Sequence, residues 1–165
     1  MSVLGEPTQV KFFFSTLYNH KKLSKDEVLS FFKDKDLVLK EFTPSFNPLF
    51  QYYSREMGED LHRIVLYTES TYKRELLVDY KLWATRVEQE NSIDNKRLVN
   101  IDVGYIAKEQ VLLATGKPYS HRIYLNNGVY AELVYFFKEK SFQIVPWTYP
   151  DYQNPEKIEF FNKIR

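Results

Sequence analysis

Residues 10–42 read VKFFFSTLYNHKKLSKDEVLSFFKDKDLVLKEF, and this stretch decides the fold. Apolar residues recur along Val10–Tyr18 with the period of two that predicts a β-strand. Ser24 followed by Glu27 makes a capping box, which predicts that a helix begins there. Leu37–Phe42 predicts a second strand. The chain therefore opens with a strand–helix–strand unit.

A second unit of strand, helix and strand follows. Leu61–Thr68 alternates again and predicts a third strand. Ser70 or Thr71 is expected to cap a long helix to about Glu90, because the apolar residues behind it fall at helical spacing. Leu98–Ile106 predicts a fourth strand.

The segment between the two units predicts an irregular loop. Pro44 and Pro48 interrupt any regular element there, and the loop is expected to continue to Gly58. The resulting order, β-α-β-β-α-β, matches the ferredoxin-like pattern, in which an antiparallel sheet carries two helices on one face.

The residues after Ile106 predict a β-rich extension and a terminal helix. The expected strands are Val111–Ala114, His121–Leu125, Val129–Phe137 and Phe142–Trp147. Asn154 is expected to cap the last helix, with Pro155 at its first position. The fold class is therefore α+β. We expect a single domain over all 165 residues, with a core over about 8–106 and an extension over about 107–165 that widens the sheet or forms a second small one.

The composition excludes several classes of function. Lys and Arg number 23 against 22 Asp and Glu, so the chain lacks the positive charge of a general nucleic-acid or anionic-membrane binder. It has no Cys, which excludes disulfides and thiolate zinc sites. No apolar run approaches the roughly 20 residues of a membrane helix, and the first ten residues lack the apolar core of a signal peptide. We therefore expect a soluble, cytoplasmic protein.

Residues 126–128, Asn-Asn-Gly, predict a hairpin within the extension. A two-residue turn would mix charged and apolar side chains on one face. A three-residue loop places Arg122 opposite Glu132 and Tyr124 opposite Tyr130, which separates polar from apolar residues, so we favour it. The Arg122–Glu132 pair is then either a cross-strand ion pair or an oriented guanidinium that binds a carboxylate or phosphate.

Lys117, His121 and Arg122 form a short cationic cluster beside a predicted loop. They are candidates to bind an anion together, with His121 transferring a proton. The alternative is a solvated loop next to a strand end. The segment is not a phosphate-binding loop, because a Walker motif needs Ser or Thr after the lysine and Pro118 stands there.

Two further segments carry residues that suit a site. Asn100 and Asp102 point the same way on an alternating strand, as candidates for a general base or a metal ligand; the alternative is a strand end with Asp102 bonded to a turn. Gly104 is expected to allow a bulge or the close approach of a ligand. Trp147–Tyr152, WTYPDY, is either a packed plug or an aromatic wall beside Asp151.

Carboxylates give limited support for a metal. Glu56 lies in the middle loop, where it is a candidate to close over the site. With Asp102, Glu132 and Asp151 it could hold an oxygen-ligated Mg²⁺ or Mn²⁺. The chain has no HExxH motif and no EF-hand loop, so we assign no metal ligand, and the sequence identifies no cofactor.

Six motifs in order resemble a known bacterial family. They are PTQVKFFF, YYSREMG, NIDVGY, LATGK followed by HRIYL, GVYAE, and WTYPDY before a terminal EFF…R. Together they are similar to the family catalogued as domain of unknown function forty-four sixteen, over nearly the whole chain. This chain departs from the family pattern at Val103, where a proline is usual.

The resemblance implies little about mechanism, because the family has no established activity. Its members are sometimes labelled GTP-binding proteins, which this sequence does not support, since it has neither a phosphate loop nor an NKxD motif. The motif positions that could carry a site are Glu56, Asn100, Asp102, Lys117, His121, Arg122, Glu132 and Asp151.

We expect a domain that binds a small anionic ligand, for example a nucleotide, or an enzyme acting on a phosphorylated or carboxylated substrate. Lys117 and Arg122 would hold the anion, and His121 would transfer a proton. Asp102 and Glu132 would orient these cations or hold a metal. The other candidate ligand-binding residues are Asn100, Tyr124, Asp151 and Glu56. The alternatives are an RNA-binding module that stacks bases on the sheet and a non-catalytic interaction protein with an exposed aromatic patch.

Overall fold

The computed structural model describes residues 1, 3–45 and 50–165, which form an α+β fold. The α-helices are α1 (Lys25–Ser30), α2 (Phe50–Met57), α3 (Leu76–Glu90) and α4 (Pro155–Ile164). The strands are β1 (Lys11–Asn19), β2 (Leu39–Phe42), β3 (Leu61–Thr68), β4 (Ser92–Ile93), β5 (Lys96–Arg97), β6 (Val99–Ile106), β7 (Gln110–Thr115), β8 (Arg122–Asn126), β9 (Val129–Lys138) and β10 (Ser141–Ile144). Short 3₁₀ helices cover Lys33–Lys35 and Pro150–Tyr152. In this part of the chain, no helix has both the length and the apolar character that crossing a bilayer requires.

Eight of these strands form one sheet, in the order β2-β3-β1-β6-β7-β9. β8 and β10 both pair with the far edge of β9, β8 near its start and β10 near its end. The pairs described are antiparallel. The extension therefore widens the sheet of the core, while β4 and β5 form a separate short hairpin. The ferredoxin-like arrangement of the core remains a prediction.

The central strand β1 is buried on both faces. Phe12 and Phe14 pack beneath α1 and α3, where each meets the ring of Tyr80 edge-on. On the opposite face, Phe13 packs against Phe161 of α4 with the ring centroids 4.9 Å apart. Edge-to-face pairs of this kind add to the free energy gained from burying apolar area. We call these two surfaces of the sheet the α1/α3 face and the α4 face.

The helix α2 replaces the irregular loop that the sequence predicts, so that prediction is wrong over Phe50–Met57. The helix ends at Met57 and is followed by Gly58, whose φ of 83° is typical of a left-handed cap. The Asn19 side chain donates to the Met57 carbonyl at 2.8 Å and holds this end on the sheet. Pro48, which contributed to the loop prediction, lies outside the described residues.

Two other boundaries differ from the prediction. The helix α3 begins at Leu76 rather than at Ser70 or Thr71, because the backbone of Tyr72 stays extended and bonds to Val10. The strand β10 ends at Ile144. There the hydroxyl of Thr148 accepts from the amide of Val145 and turns the chain away from the sheet.

The remaining helix signals are confirmed. Ser24 and Glu27 form both bonds of the capping box at the start of α1. Asn154 caps α4 by accepting from the amide of Glu156, with Pro155 at the first helical position. These ends follow from local chemistry, since a cap satisfies backbone donors that a helix leaves free.

The β8–β9 hairpin confirms the predicted pairs of Arg122, Ile123 and Tyr124, but next to the turn Asn126 rather than Leu125 lies opposite Val129. Arg122 lies opposite Glu132, as predicted. The turn has two residues rather than three, Asn127 and Gly128, with φ angles of 49° and 76°, as a type I′ turn requires. A bulge at Leu125 provides the offset that a three-residue loop would otherwise supply.

Candidate functional site

The sheet splits between β6 and β7. The two strands share only the pairs between Gly104–Ile106 and Val111–Leu113, although each continues beyond them. A side chain at Gly104 would collide with the Leu112 carbonyl and the Phe13 ring. The close neighbour that the sequence predicts at Gly104 is thus protein rather than ligand, and this glycine marks the end of the ladder.

A cavity of about 640 Å³ occupies the split. Its lining comes from β6, β7, β9, α2, α3 and the Pro150–Tyr152 segment. The charged and amide side chains around it are Lys81, Arg97, Asn100, Asp102, Lys117, Glu132 and Asp151, and the tyrosines are Tyr52, Tyr53, Tyr149 and Tyr152. The fold therefore brings five of the predicted site residues, Asn100, Asp102, Lys117, Glu132 and Asp151, to one cavity.

Asp102 and Asn100 project from β6 into this cavity. Both belong to the α4 face, because Asp102 pairs with Ser15 and Asn100 with Leu17 of β1. In the described part of the chain, nothing forms a hydrogen bond or ion pair with the Asp102 carboxylate, so the turn contact that we considered for it is absent there. Asn100 is buried; its Oδ1 accepts from Arg97 Nη1 at 2.7 Å, whereas its Nδ2 has no partner among these residues.

Arg97 joins three elements at one side of the cavity. Its Nε and Nη2 donate to the two carboxylate oxygens of Glu56 on α2, at 2.6 and 3.0 Å. Its Nη1 lies 3.2 Å from Glu88 Oε2 on α3. Glu88 in turn accepts a hydrogen bond from the backbone amide of Ile101 at 2.7 Å. This amide lies on the edge of β6 that β7 leaves unpaired. The hydrogen bonds from Arg97 lower the pKa of Glu56 below its ordinary value.

Glu56 therefore anchors α2 instead of lining the cavity. Arg97 was missing from the predicted site, because a lone arginine in a short hairpin has no spacing pattern. The Gly58 cap is the one local signal that could have predicted α2, which carries Tyr52 and Tyr53 to the cavity.

Arg122 crosslinks the opposite side. Its Nε donates to the buried carboxylate of Glu132 at 2.6 Å, its Nη1 to the Lys117 carbonyl at 2.9 Å, and its Nη2 to the Tyr149 hydroxyl at 2.7 Å. The guanidinium thus fixes the loop that carries Lys117 and the wall that carries Tyr149. Burial raises the pKa of Tyr149, so its hydroxyl stays protonated at neutral pH.

His121 packs behind this crosslink. Its ring stacks on Trp147 with centroids 4.7 Å apart. Its Nε2 lies 3.5 Å from Glu132 Oε1, without the geometry of a hydrogen bond. His121, Arg122 and Tyr124 are not among the residues that line the cavity. Tyr124 packs edge-on against Tyr130 and is largely exposed.

Asp151 is held by two buried cations. Its Oδ2 accepts from Lys157 Nζ at 3.0 Å and lies 3.3 Å from Arg63 Nη1. The side chains of all three are at most 5% exposed. Burial lowers the pKa of Lys157 to about 8. Arg63 also donates to the Ser15 hydroxyl at 2.9 Å, so Asp151 ties α4 and the Pro150–Tyr152 segment to the sheet.

Two lysines complete the lining. Neither Lys81, on α3, nor Lys117, after β7, forms an ion pair within residues 3–45 and 50–165. The same part of the chain contains no group of three or more His, Asp or Glu side chains arranged to hold a metal ion. Of the charged side chains that line the cavity, Lys81, Lys117 and Asp102 remain free for a ligand in the described part of the chain.

The family model described as Domain of unknown function (DUF4416) matches residues 8–165. The chain therefore belongs to this family, and the resemblance drawn from the six motifs is confirmed. No curated protein and no solved structure matches the chain.

Proposed function

We propose that the chain binds a small organic anion in the cavity between β6 and β7. The observation that carries this proposal is the set of free charges there: the ammonium groups of Lys81 and Lys117 outnumber the carboxylate of Asp102. The other charged lining groups already have partners of opposite charge. The free side chains thus leave an excess of positive charge, which attracts an anion into a site walled by protein.

The proposal assigns a role to each free group. Lys117 and Lys81 bind a phosphate or carboxylate of the ligand. Asp102 accepts a hydrogen bond from its uncharged part, and it is also the candidate general base if a reaction occurs, since it is the lining carboxylate without a counter-ion. Arg122, with three of its donors engaged, holds Lys117 and Tyr149 in place. The shielded position of His121 supports binding more strongly than proton transfer by this residue.

The strand order supports a ferredoxin-like core as part of this proposal. β3 lies between β1 and β2, and β1 lies between β3 and β6, each with antiparallel neighbours. This is the interleaving that a split βαβ pattern requires. In this interpretation the extension adds β7 to β10 and leaves the cavity where it joins the core.

Calorimetric titration tests the proposal. Inorganic phosphate, ribose 5-phosphate, citrate and nucleoside monophosphates would be titrated into the wild type and into Lys117→Gln and Lys81→Gln. The matched control is Lys108→Gln, an exposed lysine at the opposite end of the β6–β7 pair. We expect at least one organic anion to bind, with about tenfold weaker binding in each cavity variant and no change in the control. Absence of binding by every anion would overturn the proposal.

One observation favours a second function. The outer edge of β8 has no strand partner in the described chain, and it exposes Ile123 and Tyr124. An exposed apolar edge suits pairing with another protein, as the interaction-protein alternative expects. A monomeric mass in light scattering at high concentration, with no change in Ile123→Lys, would count against self-association through this edge.

A further inference from the structure

We infer that the ligand is a nucleoside monophosphate, bound with its base at the inner end of the cavity and its phosphate toward Lys117. This inference rests on the proposed function and specifies the class of ligand. It is carried by two buried donors that lack partners, one free acceptor beside them, and tyrosine rings along the walls.

Asn100 can only donate toward the ligand. Arg97 is a pure donor and contacts the Asn100 amide at 2.7 Å, so the oxygen of that amide must face Arg97. The nitrogen is left without a partner among the described residues, in a side chain that is only 5% exposed. A buried donor in this state calls for an acceptor, which a carbonyl or ring nitrogen of a base supplies.

Tyr152 provides a second donor of the same kind. Its hydroxyl has no partner in the described chain, and the residue is 2% exposed. Burial, followed by the negative charge of Asp102, raises the pKa of Tyr152 well above its ordinary value, so the hydroxyl keeps its proton. The inner end of the cavity thus offers two donors.

Asp102 offers the complementary acceptor. An ionised carboxylate accepts hydrogen bonds only, so it selects a ligand with N–H or O–H groups. Donors and an acceptor on one side suit the edge of a nucleobase, which carries both kinds of group in one plane.

The walls favour a flat ligand. Tyr52 and Tyr53 line the cavity from α2, with rings 5.2 Å apart and nearly perpendicular. Tyr149 lines it from the other side and is fixed by its bond from Arg122. Each of the nucleobases can stack on a tyrosine ring. A cavity of about 640 Å³ also has the size of sites that enclose ligands of this class.

The phosphate end is placed by charge. Lys117 is exposed in the loop after β7, whereas Asn100 and Tyr152 are buried. A ligand with its base against the buried donors therefore has its anionic group directed toward solvent and Lys117. The opposite orientation would bring a phosphate against the carboxylate of Asp102, which has no counter-ion among the described residues.

The experiment compares AMP, GMP, CMP and UMP with ribose 5-phosphate and inorganic phosphate, by calorimetric titration of the wild type. We expect at least one nucleotide to bind ten times more tightly than ribose 5-phosphate, since base contacts add to phosphate contacts. Asp102→Asn should remove this preference by weakening nucleotide binding more than ribose 5-phosphate binding, while Lys117→Gln should weaken the binding of both to a similar extent. Asp79→Asn, an exposed aspartate on α3, is the matched control.

Tyr52→Ala is a second test that does not depend on the inner end of the cavity. This side chain is 68% exposed, so its loss should leave folding intact and reduce nucleotide affinity alone. Equal affinity of ribose 5-phosphate and every nucleotide would overturn the inference and leave the proposed function standing. A preference that survives Asp102→Asn would also overturn it. If none of these phosphates or citrate binds, both proposals fail.

Discussion

Asp151→Asn should destabilise the protein strongly, because it removes the one carboxylate that Arg63 and Lys157 share. The substitution keeps the shape of the side chain and removes its charge. Removing one partner of a buried ion pair costs about 3–5 kcal/mol, since the remaining charge loses its compensation. Here two cations lose it, and their side chains are 3% exposed.

Lys157 limits this cost because it can release its proton. Burial already lowers its pKa to about 8, and the attraction of Asp151 is what opposes a larger shift. In the variant the pKa of Lys157 falls further, so at pH 7.5 the lysine is largely neutral. Because the lysine is then deprotonated at this pH, the added cost levels off at about 1 kcal/mol, which is less than keeping the charge. We therefore expect a total loss of about 3 kcal/mol, at the lower end of the range for buried pairs.

Urea unfolding at pH 7.5, followed by tryptophan fluorescence, measures this loss. With a slope of about 2 kcal/mol per molar urea, the midpoint should fall by about 1.5 M. Adding Lys157→Met to Asp151→Asn should cost little more, because the uncompensated ammonium is then absent, so the two effects should not add. Asp79→Asn should stay within about 0.5 kcal/mol of the wild type. A loss below about 1 kcal/mol for Asp151→Asn would refute the argument and favour the ligand-binding role that the sequence suggested.

Three other substitutions test separate features. Lys157 keeps its proton up to about pH 10.4 in the unfolded chain, but only to about pH 8 in the folded protein. Its contribution to the free energy of unfolding therefore rises with pH across that window, by about 2 kcal/mol between pH 8 and 9.5. Urea titrations at several pH values should show that Lys157→Met lacks this rise. Gly104→Ala should lower the free energy of unfolding by about 1–3 kcal/mol, because the new methyl group collides with backbone. Gly116→Ala should leave stability unchanged, because no atom lies within 4 Å of the added methyl group. Equal losses in the two variants would contradict this prediction. Arg97→Met should lower the free energy of unfolding by about 2 kcal/mol, because it leaves Glu88 as a buried charge without a partner. Adding Glu88→Gln removes that charge, so the double variant should recover part of the loss. Additive losses in a double-mutant cycle would show that Arg97 and Glu88 are uncoupled.

The elements that the sequence predicts well are those that depend on neighbours along the chain. The caps at Ser24 and Asn154 are local and are present in the structure. The strand over Leu61–Thr68 is also present with the predicted bounds, although most residues on both of its faces are buried. The pairing of Arg122 with Glu132 also follows from a local turn, even though a bulge rather than loop length sets it.

The cavity could be predicted only in part. Alternation places Asn100 and Asp102 on one face, but it does not reveal that β6 pairs with β7 only from Gly104 onward, which leaves a space beside the two residues. That split depends on Glu88 of α3, which accepts a hydrogen bond from the Ile101 amide in place of a β7 carbonyl. No sequence pattern predicts the burial of Lys157, because that burial depends on an aspartate six residues away and on an arginine of β3.

The short ladder between β6 and β7 makes the molecule two slabs joined by a narrow seam. One slab is built on β1 and the other on β9, and each keeps its own long pairings on the side away from the seam. Helix α4 packs across this seam, because Phe161 contacts both Phe13 of β1 and Tyr135 of β9. A change in the width of the gap therefore requires α4 to repack on the sheet as well, so substitutions at Phe161 are expected to alter the shape of the cavity from a distance.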